Sequence, residues 1–116
     1  MDTATARKRL EEIQHDLDRS IAVLQGENHR DDSVTGSPAD PADAGANLSE
    51  ADRSQAVLEA ARRQRTQVVE ALTRLNDGKY GHCVDCGDEV PEGRLEARPD
   101  AARCVRCQSK RDRGRR

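Results

Sequence analysis

All four cysteines of the chain lie in one short segment, as two Cys-x2-Cys pairs with seventeen residues between them. The pairs are Cys83 with Cys86 and Cys104 with Cys107. Each turn can direct two thiolates at one cation, and two turns complete a tetrahedral zinc site. Gly87 follows the first pair, where the backbone must reverse. The spacing therefore predicts one structural zinc ion, because four protein ligands leave no coordination position open for water or substrate.

A redox-active disulfide is the main alternative for a Cys-x2-Cys pair. A thioredoxin-like pair needs a βαβ context, which the sequence lacks, and it needs only one pair. His82, next to the first cysteine, offers an imidazole that could replace a thiolate, but the four cysteines already complete the ligand set. We therefore expect structural zinc, with the apolar side chains of Val90, Leu95 and Val105 packed around the site.

The rest of the chain is poor in the side chains that build a hydrophobic core. Hydrophobic residues make up 34% of the sequence and charged residues 36%, and Tyr80 is the sole aromatic residue. Such a chain needs a metal, or long helices packed along a narrow seam, to fold stably. It has neither a long apolar run nor an apolar stretch typical of a secretory signal at the start. We expect a cytoplasmic protein without a membrane segment.

Two segments carry an apolar stripe with alternating three- and four-residue steps, which is typical of a coiled coil. In the first segment the stripe consists of Leu10, Ile13, Leu17 and Leu24, with Ser20 at one seam position and Ile21 beside it. In the second segment it consists of Leu58, Ala61, Arg65, Val68, Leu72 and Leu75. Each stripe can be buried against the other, so the fold class predicted is mainly α: a monomeric antiparallel two-helix coiled-coil hairpin, followed by a small four-cysteine zinc module.

Capping signals set the expected ends of these helices, near residues 3–25 and 48–76. Thr3 can cap the first helix, and Gly26 should end it. Asn47 with Glu50, or Ser49 with Asp52, has the spacing of a capping box for the second helix, and Gly78 should end that helix.

The charges of the chain are unevenly distributed. From Glu27 to Asp52 there are seven acids and one base, whereas from Lys110 to Arg116 there are five bases and one acid. We therefore divide the chain into a hairpin over 1–77 with an acidic tip loop at about 26–47, a zinc finger over 78–110 and a basic tail over 111–116.

Three short motifs connect this organisation to a known family. "DPAD" at 40–43, "YGHC" at 80–83 and "RLEARP" at 94–99 together resemble the DksA/TraR zinc-finger family over about residues 40–110. The resemblance implies binding to bacterial RNA polymerase, insertion of the coiled coil into the secondary channel, and acidic tip residues placed near the catalytic magnesium.

By position, the acidic tip motif of the family corresponds to Asp40, Asp43 and Gly45, where the glycine replaces an alanine. The basic residues with which the best-known branch of the family binds the alarmone ppGpp correspond to Ala60, Gln67, Arg98 and Gln108. Only Arg98 is a cation, and a tetraphosphate needs several. The resemblance therefore implies polymerase binding more strongly than it implies ppGpp binding.

Two other classes of function compete with a polymerase-binding regulator. A zinc-stabilised nucleic-acid-binding protein would use the basic tail on phosphates, although the chain lacks stacking aromatics and its acidic middle would repel a duplex, so direct nucleic-acid binding is not expected. A zinc-stabilised adaptor would bind another protein. An enzyme is not expected, because no catalytic constellation or phosphate-binding loop is present in the sequence.

Overall fold

The computed structural model of the chain describes residues 1–33 and 41–114, with side chains within 1–26 and 49–114. Over these residues the fold is mainly α and contains no β-strand, only an isolated bridge between His82 and Glu89. The helices are α1 (Thr3–Ser33), α2 (Pro41–Asn76), α3 (Glu92–Ala97) and α4 (Val105–Gly114). The predicted fold class is therefore confirmed. In the described part of the chain, no helix is both long enough and apolar enough to cross a bilayer.

Both long helices reach further into the middle of the chain than the sequence predicted. α1 continues through Gly26 to Ser33, and α2 begins at Pro41. One glycine inside a helix costs about 1 kcal/mol relative to alanine, which does not by itself end the helix. Proline is favoured in the first helical turn because its missing N–H needs no partner there. The predicted loop over 26–47 was therefore too long, and the predicted capping box lies inside α2.

The start of α1 also differs from the prediction by one residue. Asp2, and not Thr3, caps the helix, because its Oδ1 accepts a hydrogen bond of 2.7 Å from the backbone N–H of Thr5. Hydrogen bonds with Thr5, first with its side chain and then with its backbone N–H, lower the pKa of the Asp2 carboxyl group below its usual value. Aspartate is among the best N-cap residues because its carboxylate accepts such bonds.

The chain forms two compact units, Met1–His15 with Thr66–Arg116, and Asp16–Arg65. In the first unit, buried side chains of both long helices form the seam: Ala6, Leu10, Val68, Ala71 and Leu75. Arg7 Nη1 donates a hydrogen bond of 2.8 Å to Asn76 Oδ1 in this unit, as expected for antiparallel helices. In the second unit Leu58 is buried, and Arg65 forms an ion pair with Asp18.

The end of α2 was predicted from the sequence and is confirmed. Gly78 has a positive φ of 73°. Its N–H bonds to the carbonyl of Leu75 at 3.2 Å, and the N–H of Lys79 bonds to the carbonyl of Arg74 at 2.8 Å. This pair of bonds is a Schellman motif, which satisfies carbonyls at the helix end and requires a left-handed residue. The motif turns the chain out of the helix a few residues before the first cysteine.

A small core surrounds the cysteines. Val90 and Leu95 are buried with Cys83 and Cys107, and Met1, Tyr80, Ala101 and Cys104 pack against this cluster. Val105 was expected in this core, but it is 57% exposed. The reason is helical geometry: Cys107 turns inward from the first turn of α4, which places Val105, two residues earlier, on another face.

Candidate metal centre

The four cysteines of the two turns come together in the structure. Their Sγ atoms all lie within 4.8 Å of one another, and all four thiols are free. Cys86 Sγ and Cys104 Sγ are 3.9 Å apart, far beyond the length of a disulfide bond. A tetrahedral zinc site with Zn–S bonds of about 2.3 Å separates its sulfur atoms by about 3.8 Å. The number of thiols, their chemistry and their spacing therefore suit a zinc ion.

The first cysteine turn, Cys83–Cys86, is built by a tight reversal of the backbone. The N–H of Cys83 bonds to the carbonyl of Asp88 at 2.7 Å, and the N–H of Gly87 bonds back to the carbonyl of Cys83 at 2.9 Å. Gly87 has a φ of 80°, in the left-handed region that favours glycine. This confirms the sequence-based expectation that the backbone reverses at this glycine.

The second cysteine turn, Cys104–Cys107, coincides with the start of α4. Cys104 directly precedes the helix, and Cys107 lies in its first turn. The backbone N–H of Cys107 points to Cys104 Sγ at 3.5 Å. Free N–H groups and the positive end of the helix dipole both favour a thiolate at this place.

The thiols differ in how readily they lose a proton. Burial raises the pKa of Cys83, but hydrogen bonds with backbone N–H groups, chiefly that of Cys104, lower it to about 6 overall. The hydrogen bond with the Cys104 thiol, together with burial, raises the pKa of Cys107 to about 12. A cation bound by all four sulfur atoms must displace the remaining protons, as is general for thiolate metal sites.

His82 takes no part in the group of candidate ligands. Its side chain is exposed, and among the residues with described side chains the candidate metal-binding group consists of the four cysteines alone.

Arg98 lines a polar cavity of about 570 Å³ in the first unit. Gln67 and Gln108 line the same cavity, so the structure brings together three of the four positions that the resemblance links to ppGpp. Ala60 is not among the lining residues. Two of the three grouped positions are neutral amides, as the sequence already indicated.

Sequence reasoning missed most of the cations around this cavity. Four further arginines line it: Arg74, Arg94, Arg103 and Arg111. The sequence analysis grouped only Arg111 of these four with other cations, in the basic tail. These residues come from α2, α3, the segment before Cys104, and α4, so no spacing in the sequence groups them. Burial lowers the pKa of Arg74, and its buried Nη2 has no hydrogen-bond partner among the described residues.

The predicted tip residues are not assembled into a described site. Asp40 lies outside the described residues, and of Asp43 and Gly45 only the backbone is described, within the first turns of α2. The acidic tip therefore stays a prediction.

Comparison with known proteins agrees with this organisation. The sequence profile of the prokaryotic dksA/traR C4-type zinc finger matches residues 78–113. The RNA polymerase-binding transcription factor DksA of Caulobacter vibrioides is 33% identical over 103 residues, which are 89% of this chain and 68% of that protein. The protein of the same name from Escherichia coli is 28% identical over 98 residues, 84% of this chain and 60% of that protein.

A solved structure extends the similarity to the fold. The structure of transcription factor DksA2 from Pseudomonas aeruginosa matches with a TM-score of 0.79 and 26% sequence identity, over 98% of this chain and 86% of that one. The match includes the long helices as well as the cysteine module. The chain therefore belongs to the DksA/TraR family of C4-type zinc-finger proteins.

Proposed function

We propose that the chain is an RNA polymerase-binding transcription regulator of the DksA/TraR type. One observation carries this proposal: the 33% identity, over 89% of the chain, to a relative named as an RNA polymerase-binding transcription factor. The fold adds support, because two long helices precede a four-cysteine module, as the family resemblance implies. Such a role needs no catalytic group in the chain and takes place in the cytoplasm.

The same proposal includes one zinc ion per chain, held by Cys83, Cys86, Cys104 and Cys107 in a structural role. The donor set is closed, so the ion would supply no Lewis-acid chemistry to a substrate. It would instead cross-link the two cysteine turns. The module needs such a cross-link, because cysteine side chains make up part of its small core.

We propose that the acidic tip is the part of the chain that alters transcription. The helical hairpin enters the secondary channel of the polymerase, and Asp40 and Asp43 lie close to the catalytic magnesium. Carboxylates suit this position, since Mg²⁺ prefers oxygen ligands and a nearby negative charge alters the field at the ion. α2 contains 36 residues, which corresponds to about 54 Å at about 1.5 Å per residue. Binding by a monomer, independent of ppGpp, is part of this proposal.

Two assays with purified bacterial RNA polymerase test the proposal. Co-sedimentation measures binding, and in vitro transcription measures the effect on transcript yield. We expect the parent chain to bind and to change the yield. We expect a D40N/D43N variant to bind as well as the parent and to lose the effect on yield. The matched control is D31N/D32N, which removes the same charge from the same acidic segment and should behave like the parent.

A chain that does not bind polymerase would overturn the proposal. If the D40N/D43N variant alters yield as much as the parent does, the tip is not the acting element. Nucleic-acid binding is the second candidate, favoured by four exposed bases of α4: Arg106, Lys110, Arg111 and Arg113. Binding to DNA without polymerase, with a steep loss of affinity as salt rises, would favour this candidate instead.

A further inference from the structure

Two ion pairs connect the segments that carry the cysteine turns. Arg103 Nε donates to Asp85 Oδ2 at 2.8 Å, and Arg106 Nη2 donates to Asp88 Oδ2 at 3.5 Å. Asp85 lies inside the first cysteine turn, and Arg103 directly precedes the second. Each pair therefore joins the segment of one Cys-x2-Cys turn to the segment of the other.

The two pairs differ in distance and in burial. The side chains of Arg103 and Asp85 are 21% and 47% exposed, whereas those of Arg106 and Asp88 are 68% and 70% exposed. A short, partly buried pair is screened less by water and salt than a long, exposed one. The structure thus contains one shorter, less exposed pair and one longer, more exposed pair between the same two segments.

The surroundings of Arg103 fix its position further. Its backbone carbonyl accepts a hydrogen bond of 3.0 Å from Arg94 Nε, which ties it to α3. The neighbouring Ala102 carbonyl accepts a hydrogen bond of 2.9 Å from the N–H of Val84 in the first turn. The Asp85–Arg103 ion pair and the backbone hydrogen bond between Val84 and Ala102 therefore both join the segments of the two cysteine turns.

The two cysteine turns must already lie side by side when a cation arrives. Each turn supplies two of the four sulfur atoms, so a cation meets all four only where the two turns are held side by side. We propose that Asp85 and Arg103 are positioning residues that hold the two cysteine turns together and so raise the affinity of the site for metal. This inference rests on the proposed zinc site. It assigns no contact with the ion itself to either residue.

Positioning and simple charge attraction make opposite predictions for one variant. A zinc ion with four thiolates carries a net charge of about −2, which a nearby cation stabilises. Asp85→Asn leaves Arg103 without its counter-charge, so a pure charge effect would tighten metal binding. If the pair acts by positioning, the same variant binds metal more weakly.

Cobalt titration of the full chain, with zinc competition, tests the inference. Co²⁺ bound by four thiolates absorbs visible light, so the titration gives both an affinity and a spectrum of the centre. We expect Asp85→Asn and Arg103→Gln each to weaken binding about tenfold, at the low end of the loss typical for residues that orient metal ligands. Arg103→Lys, which keeps the positive charge and a donor group, should restore part of the affinity.

The matched controls are Asp88→Asn and Arg106→Gln, which should change affinity less than twofold. At saturation every variant should show the spectrum of the parent, because the metal then imposes the geometry. Equal or tighter binding by the Asp85→Asn variant would overturn the inference, as would equal losses in the control variants. A parent chain that binds neither Co²⁺ nor Zn²⁺ would overturn the proposed zinc site and this inference with it.

Discussion

The two compact units of the chain are packed very differently. The first unit, residues 1–15 with 66–116, contains every described buried hydrophobic side chain except Leu58. In the second unit, Leu17, Ile21 and Leu24 are half-buried, and Ser20, at a seam position, is exposed. The comparison indicates that the first unit stabilises the fold, while the second depends on helix propensity and a few contacts. This division suits a protein whose proposed acting element lies in the second unit.

The largest expected effect comes from removing one candidate zinc ligand. Cys107→Ser should abolish zinc binding and unfold the module, because metal binding contributes about 10–16 kcal/mol in zinc-finger peptides. Native mass spectrometry should find one zinc in the parent and none in the variant. Tyr80, the sole tyrosine in a chain without tryptophan, reports unfolding of the module by its fluorescence. The control is Val105→Ser, an exposed change next to Cys104, and full zinc content in the Cys107→Ser variant would contradict the assignment.

The next prediction compares the loss in free energy of unfolding when a seam leucine is shortened in each of the two units. Leu10 is fully buried, so Leu10→Ala should lower the free energy of unfolding by about 3 kcal/mol. Leu17 is half-buried, and Leu17→Ala should cost about 1 kcal/mol. Urea unfolding followed by circular dichroism measures both values. Equal losses would show that the two units are packed equally well.

A smaller effect is expected at the junction between α2 and the module. The Tyr80 hydroxyl donates a hydrogen bond of 2.8 Å to the carbonyl of Pro99. Tyr80→Phe removes this bond and should cost about 1 kcal/mol in the free energy of unfolding. Chemical denaturation of the metal-loaded chain measures the loss. A matched control is Val84→Ala, which changes an exposed side chain of the same module.

The ionisation of Tyr80 provides a test by pH. Burial raises the pKa of this phenol above its ordinary value near 10. The folded state therefore holds the proton more tightly, so this contribution to stability is complete below about pH 10 and is lost as pH rises through the raised pKa. Absorbance of tyrosinate in the folded and the urea-unfolded chain gives the pKa of Tyr80 in each state. A folded pKa at or below the unfolded one would contradict the packing described here.

The smallest effect belongs to the second unit. Arg65 occupies a seam position and forms an ion pair with Asp18, and the two side chains are 43% and 47% exposed. Exposed pairs contribute little, so a double-mutant cycle with Asp18→Asn and Arg65→Gln should give a coupling of about 0.5 kcal/mol. The coupling should shrink in high salt. A coupling above about 2 kcal/mol would mean that the second unit relies on this pair far more than we infer.

Local sequence patterns predicted much of the fold and of the metal site. The cysteine spacing identified the thiols that the structure brings together, because each turn is formed by adjacent residues. Gly78 and Gly87 were predicted correctly, since a left-handed backbone conformation favours one residue type. The heptad steps correctly predicted Leu10, Leu58, Val68 and Leu75 as buried seam residues. They missed Ala6 and Ala71, which are buried, and included Leu72, which is only half-buried.

Other features were not predictable from local patterns. The helices extend past Gly26 and start at Pro41, because weak local penalties compete with helix propagation. The exposure of Val105 depends on which face of α4 Cys107 occupies. The arginines around Arg98 and the Asp85–Arg103 pair join residues from separate elements, so only the folded chain shows them together.

Hydrogen–deuterium exchange with and without a zinc chelator tests most directly whether a metal ion holds the cysteine module and its small core together. We expect chelation to remove protection from the backbone amides of residues 80–108. We expect residues 49–65 of the second unit to exchange quickly in both states and to change little. Protection of the cysteine module that survives complete removal of zinc would contradict the account.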